Sequence, residues 1–306
     1  NDHQKFIDYN IRDTELVHRL EEQAGFLKLA FEMAYRGGVN YNDVYGTTSI
    51  WDSIIYRILN NEKVAVPNKI MKVKSPYPGG YVKEPVPGSY DWVTSFDLNS
   101  LYPMLIVQYN MSPETVLPGR VIDASIDQFM EGKVKSEGDY SLAPTGVKFS
   151  HAKEGLMPNV IKKYYAERRI IKNNMLALEQ KRADLEKTLE SDDNRNSDEH
   201  SKSLLRDFDT GIGQLNTQQH AIKILLNSLY GALGNQWFRY FDQSVAESIT
   251  VAGQLAIKWA VRSMNSAMNE ALQTKNEDYV VAIDTDSLYV EMKDLVEKHG
   301  KTYKGS

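Results

Sequence analysis

The stretch Tyr279-Val-Val-Ala-Ile-Asp-Thr-Asp-Ser-Leu-Tyr-Val290 decides how this chain is read. Two short apolar runs, rich in β-branched and aromatic residues, flank the triplet Asp284-Thr285-Asp286, which is the composition of two strands joined by a tight turn. In such a hairpin both aspartates stand at the tip, exposed and close together. Residues i and i+2 on a strand share a face, so the two carboxylates can converge. Like charges held close raise one another's pKa unless a cation neutralises them. Hard oxygen donors around one or two Mg²⁺ ions are the natural solution. Taken alone the triplet equally suits an ordinary turn, because Asp favours turns.

Upstream, Asp91-Trp-Val-Thr-Ser-Phe-Asp97-Leu98 also has strand character and ends where the chain must turn, at Asn99-Ser-Leu-Tyr-Pro103. If this strand lies beside the acidic hairpin, Asp97 completes a three-carboxylate cluster with Asp284 and Asp286. The following turn would then point backbone N–H groups into the same space, where such groups hold phosphate oxygens. That geometry suits a two-metal centre, which clamps the attacking and leaving oxygens of an in-line phosphoryl transfer. Tyr102 would stand over a sugar, although an aromatic at a helix start is also an ordinary packing residue.

Between these segments the pattern is helical. A long helix is expected over 159–190, a polar mobile tip over 191–203, and a second long helix over 212–232, making an antiparallel helical hairpin. Arg168 and Lys172 share a face of the first helix. On the second, Lys223, Asn227, Tyr230 and Gly231 form one stripe, while Ile222, Leu225, Leu226 and Leu229 form another better suited to packing. Gly231 is unfavourable inside a helix by about 1 kcal/mol. Close approach of a planar ligand such as a base pair would explain it. Three cations on facing helices suit a triphosphate, Arg as a fork and Lys as a point charge; a solvated charged face is the common alternative.

Elsewhere, a helix is expected over 11–36, a shorter one over 50–60 and another over 243–274. The Pro/Gly-rich stretch 67–87 reads as a linker or extended crossover, and 121–150 as mixed with short strands. The order predicts an α+β fold, an antiparallel sheet backed by helices with the helical hairpin inserted as a projecting subdomain. The 306 residues suffice for two or three compact units. A net charge of −5 does not suit a simple DNA-coating protein, but is compatible with an enzyme that gathers carboxylates around metal ions. The chain has no cysteine, which excludes disulfides and thiolate metal sites and fits a reducing compartment. No signal peptide or membrane-length apolar run is present in this sequence, so a cytoplasmic location, in the host cell if phage-encoded, and no membrane partner are expected.

Asp97-Leu-Asn-Ser-Leu-Tyr-Pro103, Lys223-Ile-Leu-Leu-Asn-Ser-Leu-Tyr-Gly231 and Asp284-Thr-Asp-Ser287, in that order and spacing, resemble the motifs of B-family DNA polymerases, most closely those of T4-like bacteriophages. Pro76-Tyr-Pro-Gly-Gly-Tyr-Val-Lys-Glu-Pro85 is similar to the family's loop between exonuclease and polymerase regions. The resemblance covers nearly the whole chain. It implies template-directed DNA synthesis by two-metal nucleotidyl transfer, with Mg²⁺ as cofactor (Mn²⁺ a substitute) and with primer-template DNA and dNTPs as partners. Asp97 and Asp286 would bridge the metal ions with the Leu98 carbonyl as a further ligand, and Asp284 would be the peripheral third acid. The backbone of Ser100, Leu101 and Tyr102 would cradle the triphosphate, and Tyr102 would exclude the ribose 2′-hydroxyl. Arg168, Lys172 and Lys223 would grip the triphosphate, while Asn227 and Tyr230 would line the nascent base pair. Tyr9-Asn-Ile-Arg-Asp13 is similar to the third exonuclease motif. The domains so implied are an exonuclease remnant (1–26), an N-terminal-domain-like helical segment (27–68), palm (69–154 and 236–306) and fingers (155–235).

The sequence departs from the family pattern at Ile283, where a glycine is usual, and at Met104, where serine is usual; its helical hairpin is also shorter. Neither substitution removes an implied ligand. The first two exonuclease motifs are not in this sequence, so no exonuclease activity is expected from it alone. The resemblance places the rest of the palm, a primer-contacting basic motif and the thumb beyond Ser306, supplied by a separate chain or by the remainder of a longer one. Any sliding-clamp contact would lie there too. Without a thumb, grip on duplex DNA should be poor, since phosphate contacts supply much of that affinity. A catalytically silent nucleotide- or DNA-binding part of a split polymerase is the alternative from another class, and a nuclease using the same carboxylates is a third.

Overall fold

The structure, a computed structural model, describes residues 2–134, 138–191 and 199–300. Most of the polar segment 191–203, expected to be a mobile tip, lies outside the described residues. In chain order the elements are α1 (His3–Ala24), α2 (Phe26–Gly37), α3 (Thr47–Asn61), β1 (Val82–Lys83), β2 (Val93–Asp97), α4 (Leu101–Tyr109), β3 (Val116–Leu117), α5 (Ile126–Met130), β4 (Tyr140–Leu142), β5 (Lys148–Ser150), α6 (Leu156–Ser191), α7 (Glu199–Leu233), α8 (Gln243–Leu272), β6 (Val280–Asp284), β7 (Ser287–Glu291) and α9 (Lys293–His299). The fold is α+β. It divides into one unit of Asn1–Asn68 with Lys163–Leu229 and a second of Lys69–Lys162 with Tyr230–Ser306.

In the first unit, the single helix expected over 11–36 is two helices broken at Gly25. This residue has φ 64° and its N–H caps the carbonyl of Glu21. The Glu21 carboxylate in turn accepts the Leu27 amide at 3.0 Å, satisfying an open donor of the next helix. Helix α1 begins at residue 3 because the Asp2 side chain accepts the Lys5 amide. It buries no residue, so apolar periodicity was a poor guide to its start. Helix α3 turns Ile50, Trp51, Ile54, Ile55 and Leu59 inward. Trp51 is fully buried, meets Tyr164 of α6 edge-on at 6.1 Å, and donates its indole N–H to the Ser228 hydroxyl of α7 at 3.1 Å.

Helices α6 and α7 run antiparallel: Arg168 bonds Gln219 at 3.3 Å and Arg182 bonds Asp209 at 2.6 Å. Helix α7 starts at Glu199, well before the expected 212. The polar, glycine-containing run 199–213 looks weakly helical, but packing sustains it. The Leu178 side chain of α6 comes so close to Gly211 that a Cβ there would lie 3.2 Å away.

The second unit is built on a four-stranded antiparallel sheet of order β1-β6-β7-β2 and a smaller sheet of order β3-β5-β4. The first is backed by α8: Ile257 forms one buried cluster with Val280, Ile283, Leu288 and Val290. Strict alternation would put Val280 and Ile283 on opposite faces. A register shift between Val280 and Ala282 resets the phase so that both face the core. Ile283, where the family pattern has glycine, is thus a core residue, 2% exposed.

The Pro/Gly-rich stretch is not a free linker. It lies along α8, held by hydrogen bonds from Lys72 to the Phe241 carbonyl, from the Ser75 amide to Gln243, from Thr250 to the Pro78 carbonyl and from Gln254 to the Gly79 carbonyl. Side chains of α8 thereby satisfy the backbone of a segment that Pro76 and Pro78 keep from regular structure. The strap enters the sheet as β1. Among the described residues no helix is long and apolar enough to cross a membrane.

Candidate active site

The sheet register fixes where the acids stand. Strand β2 pairs with β7, Asp97 opposite Ser287, and β6 pairs with β7, Asp284 opposite Ser287. Directly opposed residues share a sheet face. Asp97, Ser287 and Asp284 therefore form a row on the face turned away from the α8 core. The adjacent pair Ile283 and Leu288 point the other way, into that core.

Asp286 lies in the two-residue turn between β6 and β7. Its carbonyl accepts the Leu98 amide at 2.8 Å, tying the turn to the end of β2. The Ser287 hydroxyl lies 3.2 Å from an oxygen of Asp97 and 3.5 Å from one of Asp286. The two carboxylates thus approach to no more than 6.7 Å, the sum of those distances. The structure brings the end of the 93–97 strand and the acidic turn together.

The third acid is set apart. Asp284 is separated from Asp97 by the whole width of β7, about 10 Å at two interstrand spacings. Among the described residues no three His, Cys, Asp or Glu side chains gather closely enough to form a metal cage. The pattern is a carboxylate pair with a peripheral acid rather than an equal triad. Partial burial, then the charge of Asp97 and, more weakly, that of Asp284 push the Asp286 carboxyl above its ordinary range. Burial is the larger part of that shift, and repulsion between the acids adds to it. Two carboxylates plus the Leu98 carbonyl offer only hard oxygen donors, the kind Mg²⁺ prefers. The Leu98 carbonyl already accepts the Leu101 amide at 3.1 Å and keeps its second lone pair. These residues fit a divalent cation.

The turn after β2 depends on Ser100, whose φ of 55° is in the left-handed region. There the chain reverses into α4 directly after Asp97. The Leu101 amide, expected in a phosphate cradle, is committed to Leu98 in this state.

Tyr102, on the first turn of α4, is half-buried. Its ring lies 4.8 Å from that of Tyr230, at 48°. Tyr230 hydrogen-bonds Tyr77 of the strap, and burial followed by this bond drives its phenol far above the usual range. Tyr102 is likewise raised, by burial and then by Asp286. Tyr102 and Tyr230 are thus two packed phenols held neutral, with Tyr102 close enough to feel the charge of Asp286.

The strap closes tightly on this group. A Cβ on Gly80 would meet the Thr285 hydroxyl at 2.9 Å and the Tyr102 hydroxyl at 3.3 Å. One on Gly234 would meet the Tyr77 hydroxyl at 2.7 Å. Thr285 itself has φ 55°, uncommon for a β-branched residue, and its amide is held by the Tyr81 carbonyl at 3.0 Å.

Other predicted residues belong to the first unit. Lys172, Lys223 and Asn227 are exposed on α6 and α7 of the first unit, and Arg168 bonds Gln219 there. Ile222, Leu225, Leu226 and Leu229 are buried, as the stripe pattern predicts. Gly231 has nothing within 4 Å of where a Cβ would sit, so no internal packing explains it. Tyr9 and Asp13 lie one helical turn apart on exposed α1 of the first unit.

Sequence reasoning missed Ser287, Tyr77 and Gly80 as site residues. All three sit inside stretches already singled out, next to the acids or within Pro76–Tyr81.

A family model described as DNA polymerase family B matches residues 42–192 and 200–302. The DNA-directed DNA polymerase of Enterobacteria phage T4 is 35% identical over 97% of this chain and 36% of its own length. That of Escherichia phage RB69 is 33% identical over 99% of this chain and 36% of its own length. A DNA polymerase of Pyrococcus glycovorans is 31% identical over 71% of this chain and 22% of its own length. The chain belongs to family B of the DNA polymerases. It spans roughly a third of the length of its phage relatives.

Proposed function

We propose that this chain carries the nucleotidyl-transfer site of a template-directed DNA polymerase, in which a primer 3′-hydroxyl attacks the α-phosphate of a dNTP and pyrophosphate leaves. The observation that carries this reading is the meeting of Asp97 and Asp286 across Ser287 at the end of β2. Asp97, Asp286 and the Leu98 carbonyl would hold two Mg²⁺ ions, with Asp284 peripheral; when bound, the ions lower the pKa of the hydroxyl and neutralise phosphate charge.

The chain's own residues position and exclude. The backbone of Ser100, Leu101 and Tyr102 would receive phosphate oxygens, which requires the Leu101 amide to leave Leu98. The Tyr102 ring would lie against the deoxyribose and leave no room for a 2′-hydroxyl. Tyr230, its phenol kept protonated by burial and by Tyr77, can donate or accept a hydrogen bond at the base pair with Asn227. Arg168, Lys172 and Lys223 take the triphosphate, Arg as a fork and the lysines as point charges. In this scheme the second unit corresponds to palm and α6–α7 to fingers, with Tyr9 and Asp13 a remnant of an exonuclease site.

Primer extension with a primed template, dNTPs and Mg²⁺, supplied with the remaining polymerase segments, tests the reading. Product that disappears in Asp97→Ala and Asp286→Ala supports it. Mg²⁺-dependent dNTP binding without extension identifies a silent scaffold instead, and primer shortening identifies a nuclease.

A further inference from the structure

We infer that Gly253, in the middle of α8, is the positioning residue that seats the Tyr102 ring and so sets how far that ring projects toward the nucleotide sugar. The inference rests on the reading of Tyr102 as the sugar contact. Gly253 is buried, on a helix whose neighbouring residues Val251, Ala252 and Leu255 are also buried. A Cβ built there would lie 2.8 Å from Cε1 of Tyr102 and 3.6 Å from a methyl of Leu101. Real side-chain contacts at 2.8 Å are essentially never seen, and ordinary contact begins near 3.4 Å. The ring edge would therefore have to move by about 0.6 Å, the difference between those values.

The surroundings decide where it goes. Tyr102 leans on the Tyr230 ring at 4.8 Å, and the Tyr230 phenol is pinned by Tyr77. The hydroxyl end of Tyr102 is bounded by Gly80 and Thr285 of the strap and turn. Its backbone belongs to the first turn of α4, which packs along α8. A ring pressed off α8 is thus confined on those sides and shifts into the space left for the nucleotide. Helix propensity gives no reason for glycine here, since alanine is the better helix former. The close approach of a ring to the helix backbone does.

The substitution Gly253→Ala should lower kcat/KM for dNTP incorporation by roughly tenfold to a hundredfold, mainly through KM, because sub-ångström misplacement at a reacting centre is costly. Ribonucleotides should stay excluded, since the ring moves inward and opens no space. The decisive test is a double-mutant cycle in the intact protein with Tyr102→Val, which removes the ring that a Cβ would strike. In that background Gly253→Ala should leave dNTP KM and melting temperature unchanged, while in the wild-type background it should worsen both.

A purely structural role for Gly253 would show the same loss in both backgrounds, and that result overturns the inference. So does an active Gly253→Ala enzyme with wild-type dNTP KM. If Gly253→Ala alone does not fold, recovery of folding by Tyr102→Val supports the contact, and failure to recover refutes it. Absence of extension in every background, wild type included, refutes the polymerase reading and this inference with it.

Discussion

Replacing Asp286 with asparagine should stabilise the protein in the absence of divalent cations. Asn keeps the size and the acceptor oxygen that Ser287 approaches but removes the charge facing Asp97. Two unit charges about 6 Å apart repel by about 0.7 kcal/mol in water and about 2.8 kcal/mol at an effective dielectric of 20. Asp97 is exposed and Asp286 only partly buried, so screening holds the effect near the lower figure, about 1 kcal/mol. For the unit that carries the sheet this corresponds to a rise of roughly 2–4 °C in melting temperature. In wild type, Mg²⁺ at about a hundred times its dissociation constant should add roughly 2.7 kcal/mol, and Asp286→Asn should lose most of that gain. Differential scanning calorimetry with EDTA and with MgCl₂, on both proteins, reads all four values. A variant that melts lower than wild type in EDTA, or gains as much from Mg²⁺, would refute the carboxylate pair as a strained cation site.

The same pair gives a pH signature. The Asp286 pKa is raised in the folded state, so folding is favoured by its protonation, fully below its unfolded value near ~3.9, and that contribution is lost as pH rises through the raised folded value. The melting difference between Asp286→Asn and wild type in EDTA should therefore shrink as pH falls from 7 toward ~4; a difference independent of pH would contradict it. Asp278 has a lowered pKa through its bonds to Lys83 and Asn265 despite partial burial, so its contribution is present above ~3.9 and fades only at lower pH. Lys223→Ala should raise dNTP KM by roughly tenfold to a hundredfold with little change in melting, since Lys223 is exposed and a charge-assisted contact is worth about 1.5–3 kcal/mol; an unchanged dNTP dependence removes it from the triphosphate site. Trp51→Ala should destabilise the first unit by about 3–5 kcal/mol, leaving a cavity and removing the indole donor from the Ser228 hydroxyl, which still donates to the Leu225 carbonyl; a loss under 1 kcal/mol by urea unfolding would show that the site collapses freely.

The meeting of Asp97 with the acidic turn was legible because both lie at strand ends, where alternating β-branched and aromatic residues fix the pattern. The polar and apolar stripes of α7 were legible for the same reason of period. What escaped the sequence depends on distance rather than pattern. Strand order places Ser287 between Asp97 and Asp284, which makes Asp284 peripheral, and no local spacing reveals that. Pro76–Tyr81 reads equally as a linker or an extended crossover because prolines and glycines forbid regular structure, and only the fold shows that Thr250 and Gln254 bond its backbone. The role of Gly253 exists only once α4 is laid on α8. Gly25 splits one apparent helix in two because a positive φ satisfies carbonyls that a continuous helix would have satisfied itself.

Binding of Mn²⁺, followed by electron paramagnetic resonance during titration with and without a dNTP, examines the acid pair most directly. The account predicts a site that Mg²⁺ competes for and that Asp97→Asn and Asp286→Asn each abolish or weaken severely, with Asp284→Asn milder. Equal Mn²⁺ binding in wild type and both of the first two variants would contradict it.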